Sequence, residues 1–159
     1  MNDHFHIDVA VVPADVKDVA RLFEQYASTL PLDLSYQNFD AELSGLPGKY
    51  AAPLGALLIS RTAAGDASGC VGIRPLPEVG TCEMKRLFTV PSTRGSGLGT
   101  ALAQAAIEKA RTIGYERMTL DTLSTMKAAL GLYEKLGFRR SPAYYSPTPA
   151  DTIFMALRL

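Results

Sequence analysis

An arginine and three glycines stand together in the stretch Arg94-Gly-Ser-Gly-Leu-Gly99, directly before an alanine-rich segment. Because glycine lacks a Cβ, alternate glycines can take positive φ and direct successive backbone N–H groups at one point. The first amides of a following helix have no partner inside that helix, and its dipole favours an anion there. Arg94 adds a planar guanidinium suited to phosphate. The pattern therefore predicts a site for a phosphorylated ligand at residues 95–100.

Two other interpretations of this stretch fit its residues less well than an anion site does. A plain helix-entry turn would need one glycine, whereas three in alternation are costly to order. A dinucleotide fingerprint also places glycines between a strand and a helix and ends the next strand on an acidic residue, as Asp121 does here. That fingerprint needs G-x-G-x-x-G directly after the strand, whereas the chain has G-x-G-x-G after Pro91-Ser-Thr. A nicotinamide enzyme is therefore disfavoured.

Arg94, Gly97 and Gly99 form the pattern R-x-x-G-x-G, which resembles the pyrophosphate-binding motif of the GNAT superfamily of acetyl-CoA-dependent N-acyltransferases. Residues 83–91 resemble the strand before that loop, and residues 129–138 resemble a later helix of the family with its tyrosine. The three motifs follow one another in the family's order. One departure is Met126, which stands seven residues before the tyrosine where the family often has Asn.

Composition places few further limits on function. With 159 residues, of which 47% are hydrophobic and 20% charged, we expect a single domain over residues 1–159. Sixteen basic residues balance sixteen acidic ones at a pI near 6.7, so no overall field recruits nucleic acid or a membrane surface. No apolar run could span a bilayer and no secretory signal is visible, so we expect a cytoplasmic protein.

The cysteine and histidine residues give no evidence of metal or redox chemistry. Cys70 and Cys82 lack a C-x-x-C partner, and in a reducing compartment they are expected to be two buried thiols. His4 and His6 share one side of the first predicted strand, but with no third ligand in view they indicate a solvated strand face. We therefore expect no metal.

Alternation predicts a first strand at 5–12, and a helix opens at Pro13 with Asp15 as its N-cap. A short helix is expected at 36–43. Further strands are expected at 54–61, 68–74, 81–89, 117–122, 138–145 and 152–159, and further helices at 97–113 and after a cap at Ser124 or Thr125. The strand–helix–strand unit over 81–122 should make its two strands parallel.

The resemblance implies an α/β fold of the α+β type. It has a mixed, mostly antiparallel sheet of six to seven strands flanked by helices, with a splayed pair of strands that holds the cofactor. Here those strands end near Thr89 and Thr122. The acetyl-CoA contacts that it implies are Leu87, Phe88, Thr89, Arg94, Gly95, Ser96, Gly97, Leu98, Gly99, Thr100, Met126 and Tyr133.

The resemblance also implies the catalytic groups of an acetyl transfer to an amine. Glu83 is the expected base, and Tyr133 the acid that protonates the leaving thiolate. A phenol with a pKa of about 10 is nearly matched to a thiol of about 8.5–10. Each residue has a simpler interpretation: Glu83 could pair with Lys85 or Arg86 or face solvent, and Tyr133 could be a core aromatic.

The expected function is transfer of the acetyl group of acetyl-CoA to a primary amine of a small molecule or amino compound, by direct attack in a ternary complex. The helix pair that follows the first strand should cover the acceptor side, with Tyr26, Asp33, Tyr36 and Gln37 as substrate contacts. The alternative is a non-catalytic acyl-CoA-binding sensor of the same fold. Homodimers are common in the family, so a homodimer is expected too.

Overall fold

The computed structural model describes residues 5–159, with Tyr36 described by its backbone alone. Within them the strands are β1 Phe5–Val9, β2 Ala56–Thr62, β3 Ala67–Pro75, β4 Thr81–Thr89, β5 Arg117–Leu123, β6 Arg139–Arg140 and β7 Thr152–Arg158. The helices are α1 Pro13–Thr29, α2 Phe39–Ser44, α3 Leu98–Ile113 and α4 Lys127–Lys135, with 3₁₀ turns at Leu34–Gln37, Gly48–Tyr50 and Pro91–Thr93.

The described strands form one seven-stranded sheet in the order β1-β2-β3-β4-β5-β7-β6. Only β4 and β5 pair in parallel, and every other neighbouring pair is antiparallel. The parallel pair follows from the α3 crossover, which carries the chain back to the end of the sheet from which β4 started. The predicted mixed, mostly antiparallel sheet is confirmed.

The ladder between β4 and β5 is short. The paired residues are Thr81 with Arg117, Cys82 with Met118 and Glu83 with Thr119. Beyond them β5 continues to pair with β7, and β4 continues to pair with β3, but no further residues of β4 and β5 pair in the described ladder. The two strands therefore separate toward their carboxyl ends, as expected for the splayed pair.

Each face of the sheet has its own apolar core. On one face α3 and α4 pack through small and aliphatic side chains, including Ala103, Ala106 and Leu130, against the middle strands. On the other face α1 buries Val19, Leu22 and Phe23 under the same strands. The gap between β4 and β5 connects the two faces of the sheet.

A β-bulge interrupts β4 at Arg86, whose φ is 62°. The register passes from Cys70↔Phe88 to Gly72↔Lys85, so β4 carries one more residue than β3 across this step. Neighbouring residues of a regular strand point to opposite faces, and the extra residue breaks that alternation. Lys85 and Arg86 therefore both reach toward the α1 and α2 side of the sheet.

Two helix starts differ from the sequence prediction. Helix α1 is capped by Val12, because Pro13 occupies the first helical position, where its fixed φ suits the helix and its missing N–H is not needed. The prediction of Asp15 as N-cap was wrong; its carboxylate instead accepts a hydrogen bond of 2.6 Å from Arg61 Nη2. Helix α4 is capped by Met126 rather than by Ser124 or Thr125.

Three predicted elements differ in length or continuity from expectation. The strand predicted at 5–12 ends at Val9. The helix predicted at 36–43 is divided at Asn38, whose φ of 56° separates the 3₁₀ turn Leu34–Gln37 from α2. The strand predicted at 138–145 is reduced to Arg139–Arg140, since Pro142, Pro147 and Pro149 lack the N–H groups that a ladder needs. His6 lies beside exposed Asp8 at 3.4 Å, whereas His4 lies outside the described residues.

Cys70 and Cys82 are free, buried thiols, as predicted. Burial raises the pKa of Cys82 to about 12 and raises that of Cys70 well above its usual range.

At about pH 8 we expect no reaction of either thiol with Ellman's reagent until denaturant is added. The free energy of unfolding should fall as the pH rises from about 8.5 toward 12. Rapid labelling of the native protein would contradict this burial.

Candidate active site

The glycine turn between β4 and α3 has the conformation that the sequence predicts at two of its three glycines. Gly95 and Gly97 both have φ of 86°, and Gly97 caps α3 without any side-chain hydrogen bond. A Cβ built at either position would meet no atom within 4 Å, so the space beside the turn is open. The first amides of α3 therefore face a space that can hold an anion.

Gly99 differs in conformation from the two glycines before it. It lies in the first turn of α3 and is not among the residues with positive φ. A Cβ there would come to 3.4 Å from Leu132 Cδ1 of α4. That distance is an ordinary van der Waals contact, so neither the backbone conformation nor the neighbouring α4 requires glycine at this position.

Arg94 folds back toward the end of β4. Its Nη2 donates a hydrogen bond of 3.3 Å to the Thr89 carbonyl, and its guanidinium lies 5.9 Å from the centre of the Phe88 ring. Both contacts are near the surface, so the charge stays accessible beside the glycine turn. The Ser96 hydroxyl donates a hydrogen bond to the Thr93 carbonyl, and the contact of Ser96 with the cofactor stays a prediction.

A long groove runs from the glycine turn along the end of β4 to the start of α4. It collects most of the residues predicted to contact acetyl-CoA. Its lining comprises Tyr26, Thr29, Leu87, Phe88, Thr89, Thr93, Arg94, Gly95, Gly97, Leu98, Gly99, Thr100, Thr125, Met126, Lys127, Ala128, Ala129 and Leu132. Of the predicted set, only Ser96 and Tyr133 are not part of this lining.

A second cavity adjoins the groove where β4 and β5 have separated. The two share the residues Tyr26, Leu87, Met126 and Ala129 as walls. Side chains from both faces of the sheet line it, with Tyr26 of α1 on one side and Tyr133 of α4 on the other. A ligand in the groove and a ligand in the cavity would therefore meet at the gap between the strands.

Tyr133 lines the second cavity but not the groove, and it is almost fully buried. Its ring packs edge-on against Phe138, with 5.7 Å between ring centres. Burial, together with Tyr26 and Asp121, raises the pKa of Tyr133 well above its usual value. The phenol is therefore protonated at any physiological pH, and its proton is held more tightly than the near match expected from the sequence.

Glu83 is buried on the α1 and α2 side of the sheet and does not line either of these two cavities. Its Oε1 accepts a hydrogen bond of 2.8 Å from Arg74 Nε, and its Oε2 accepts one from the Tyr144 hydroxyl. Lys85 Nζ lies 3.8 Å from Oε2. The carboxylate is thus held by three partners, and its role as a base stays a prediction.

Lys85 and Asp121 are the opposite charges that do line the second cavity. Lys85 Nζ lies 3.7 Å from Asp121 Oδ1 and donates a hydrogen bond of 2.9 Å to Gln37 Oε1. Asp121 Oδ2 accepts hydrogen bonds from the Tyr145 hydroxyl and from Gln37 Nε2. Burial lowers the pKa of Lys85, while Glu83 and Asp121 oppose that shift.

The ionic network continues from Glu83 to α2. Arg86 forms a two-pronged pair with Glu42, in which Nε and Nη2 each lie 3.1 Å from a carboxylate oxygen. Glu42 also accepts a hydrogen bond of 2.8 Å from the Tyr50 hydroxyl, and Arg74 Nη1 lies 3.9 Å from it. Burial alone would lower the pKa of Arg86, but the hydrogen bonds and charge of Glu42 outweigh it, so that pKa is raised. Burial alone would raise the pKa of Glu42, but Arg86 outweighs it, so that pKa is lowered.

The four predicted acceptor contacts do not share one position. Tyr26 and Gln37 line the second cavity. Asp33 lies outside it and caps the 3₁₀ turn, where its Oδ1 accepts a hydrogen bond from the Ser35 amide. The backbone of Tyr36 belongs to the same turn, but its side chain lies outside the described residues.

Sequence reasoning missed Lys85, Asp121, Tyr144 and Tyr145 as members of the site. Asp121 offered a signal, because it lies in the carboxyl-terminal half of β5, the strand that pairs in parallel with β4, near the edge where such strands end. The two tyrosines offered none, since they follow a strand that ends early and reach the site only through tertiary folding. The described residues hold no cluster of three or more His, Cys, Asp or Glu suited to a metal ion.

Over residues 5–159, no helix is both long and apolar enough to cross a membrane. The fold itself is found in solved structures. A crystal structure assigned as an acyl-CoA N-acyltransferase from Klebsiella pneumoniae superposes with a TM-score of 0.75 at 30% identity, covering 99% of each chain. An acetyltransferase from Salmonella typhimurium, solved with its cofactor acetyl-CoA, gives a TM-score of 0.71 at 20% identity over 98% of this chain and 94% of that one.

Sequence comparison points to the same family. An uncharacterized N-acetyltransferase of Schizosaccharomyces pombe is 38% identical over 96% of this chain and 94% of its own length. Another from Escherichia coli K12 is 36% identical over 76% of this chain and 74% of its own. The family described as acetyltransferase (GNAT) matches residues 19–138. The chain belongs to the GNAT family of acetyltransferases, and its relatives and domain make it an acetyl-CoA-dependent acyltransferase.

Proposed function

We propose that this enzyme transfers the acetyl group of acetyl-CoA to a primary amine of a small molecule or amino compound, by direct attack in a ternary complex. The observation that carries the proposal is the shared wall between the groove and the second cavity. When the pantetheine arm of acetyl-CoA lies in the groove with its thioester at this wall, the thioester faces an amine in the cavity across the gap between β4 and β5. Such juxtaposition turns a bimolecular reaction into one within a complex.

Acetyl-CoA fits the groove in one direction. The amides of the glycine turn and Arg94 would bind the pyrophosphate, and the arm would extend along β4 toward Tyr133. Beyond Glu83 the side of β4 that faces β5 has no strand partner in the described ladder. We propose that those backbone groups of Leu87, Phe88 and Thr89 that face this open side pair with the amides of pantetheine, as an added strand would. Phe88 pairs with Cys70 in the β3 ladder and the Val90 N–H donates to the Ser68 carbonyl, so the Phe88 N–H points to β3; a neighbouring amide that faces the gap is our candidate donor to the developing oxyanion.

Arg94→Gln tests the pyrophosphate assignment. Because a hydrogen bond to a charged group is worth about 1.5–3 kcal/mol, we expect the Kd for acetyl-CoA to rise by about tenfold or more. Arg111→Gln is the matched control, since Arg111 lies near the other end of α3 and pairs with Glu108. Isothermal titration calorimetry measures both variants. Equal affinities for the wild type and Arg94→Gln would remove Arg94 from the site.

The chemistry balances with two proton transfers. The neutral amine nitrogen attacks the thioester carbonyl carbon, the C–N bond forms, and the C–S bond breaks. The nitrogen loses one proton to a base, and the departing thiolate receives one from Tyr133, which gives an N-acetyl amide and free CoA. No acyl-enzyme is needed, because both cysteines are buried away from the groove and no activated serine is evident.

Tyr133→Phe tests the acid. General acid catalysis contributes about 10²–10⁴-fold, so we expect kcat to fall by about 100-fold or more while acetyl-CoA still raises the Tm. Tyr115→Phe is the control, because the Tyr115 hydroxyl bonds to the Leu54 carbonyl and lies outside both cavities. Thiol release from acetyl-CoA is the measurement. An unchanged kcat in Tyr133→Phe would leave this residue a packing role only.

Two carboxylates compete for the amine proton. Asp121 lines the cavity and can contact the amine directly, which favours it as the first acceptor. Glu83 lies behind Lys85, so its proposed role as base requires a relay through Lys85 or through water. Both stay proposals, and the two positions can be separated by their effects on folding.

Glu83→Gln separates a buried structural charge from a base. Removing one partner of a buried ion pair costs about 3–5 kcal/mol, so we expect a loss of that size in the free energy of unfolding, measured by urea denaturation. Glu78→Gln is the control, because Glu78 is exposed and pairs with Arg117 at 3.8 Å; it should cost under about 1 kcal/mol. A stable Glu83→Gln protein with a shifted pH–rate profile would instead identify Glu83 as the base.

The competing hypothesis is a sensor of the same fold that binds acyl-CoA without turnover. It predicts a Tm increase with acetyl-CoA and no thiol release over a panel of amines. The cavity beyond the groove favours the enzyme, because a sensor of the cofactor alone needs no second pocket at the thioester end.

A further inference from the structure

We propose that the acceptor is a compact zwitterion, an α-amino acid with an apolar side chain, held by Asp121 at its ammonium group and by Lys85 at its carboxylate. The inference rests on the proposed acetyl transfer and names the class of amine that the second cavity takes.

The charges that line this cavity are one carboxylate and two cations. Among the described lining residues Asp121 is the only acid, and Lys85 and Arg86 are the cations. An amine that enters as an ammonium ion is attracted to Asp121, which thus fixes the place of the reacting nitrogen; before attack the ammonium gives one proton to Asp121 or to water, and the neutral nitrogen then follows the steps given above. The two cations have no role toward a simple alkylamine and would repel it.

The spacing of the opposite charges suits a small ligand. Lys85 Nζ lies only 3.7 Å from Asp121 Oδ1. A ligand whose ammonium group contacts Asp121 can reach Lys85 only with an anionic group a few bonds from the nitrogen. The α-amino and α-carboxylate groups of an amino acid have that relation, whereas the ends of a long amine or a polyamine do not.

Lys85 and Arg86 can donate hydrogen bonds to the carboxylate of a ligand while they keep their hydrogen bonds to Gln37 and Glu42. Arg86 uses Nε and Nη2 on Glu42, and among the described residues no hydrogen bond or ion pair involves its Nη1. Lys85 donates its one close hydrogen bond to Gln37, and its ion-pair distances to Glu83 and Asp121 are longer, at 3.8 and 3.7 Å. A bound carboxylate can therefore take a donor from each.

The balance of charges in the buried network also favours a zwitterionic acceptor. The buried network contains three carboxylates, Glu42, Glu83 and Asp121, and three cations, Arg74, Lys85 and Arg86. An uncompensated charge inside a protein is costly, so a neutral network best accepts a ligand of no net charge. A zwitterion keeps the balance, whereas an alkylammonium ion adds one buried positive charge.

The remaining walls define the body of the ligand. Leu30, Leu32 and Leu34, at and after the end of α1, and Met84 of β4 also line the cavity. Aliphatic walls bury an apolar side chain favourably and leave a charged one without partners. This excludes acidic and basic amino acids as the preferred acceptors.

The decisive experiment compares leucine with 3-methylbutylamine, the amine that differs only by lacking the carboxylate, and with leucinamide. Thiol release from acetyl-CoA gives kcat/KM for each. We expect leucine to exceed both by about 100-fold or more, because a site built for a polar group rejects the analogue that lacks it. The test is stringent, since the less basic amine of leucinamide provides more of the neutral nucleophile.

Variants assign the discrimination to residues. In Lys85→Met we expect the ratio of kcat/KM for leucine to that for 3-methylbutylamine to fall by about tenfold or more. Asp121→Asn should lower kcat/KM for both, because both use the ammonium contact. Lys17→Met, on the exposed surface of α1, should keep the wild-type ratio. If Lys85→Met does not fold, the wild-type comparison still decides.

Two failures can be told apart. Equal or faster acetylation of 3-methylbutylamine would overturn the zwitterion proposal and leave acetyl transfer intact. A protein that gains Tm with acetyl-CoA but acetylates none of the three compounds, nor any amine of a wider panel, would overturn the proposed function itself. Preference for lysine or glutamate over leucine would contradict the apolar walls.

Discussion

The separation of β4 from β5 is the constraint on which the rest of this structure depends. A sheet normally satisfies the backbone groups of an internal strand on both sides, and β4 gives up one side after three paired residues. Those groups need other partners, and the space that opens is lined from both faces of the sheet. One departure from regular pairing thus creates an edge for an extended ligand and a cavity next to it. The glycine turn follows at the end of the same strand, so the anion site and the gap are fixed to each other.

The network beneath the cavity shows how much charge this fold buries. Three acids and three bases lie on one face of the sheet, joined by Tyr50, Tyr144, Tyr145 and Gln37. Such groups add little net stability compared with apolar packing, and each is expensive to leave unpaired. Their presence beside the cavity therefore fits a function in positioning a polar ligand better than a function in holding the fold. Tyr133 differs from this group: it is packed among apolar side chains and lines the second cavity.

The sequence predicted what depends on local signals. The glycine turn, the parallel strand–helix–strand unit and most strand positions follow from short-range patterns, and the groove contains nearly every residue expected to contact the cofactor. The acceptor side was predicted less well. Asp33, predicted to contact the amine, caps a 3₁₀ turn outside the second cavity, and Glu83, predicted as the base, is bound by Arg74 and Tyr144; both roles stay predictions. Lys85, Asp121 and Tyr145 come from distant parts of the chain, and no local pattern states that they meet. The prediction of Asp15 as the N-cap of α1 was wrong because Pro13 occupies the first helical position, so the helix begins two residues earlier.

The bulge at Arg86 has a consequence for how such a site can diverge. Because one extra residue lets two successive cations face the same side, the charge of the second cavity depends on the length of β4 as well as on its composition. Loss of one residue at the bulge would restore regular alternation and leave only one of the two cations on this side of the sheet. Such a change would alter the charges that line the second cavity in one evolutionary step, while the groove at the end of the strand stayed intact.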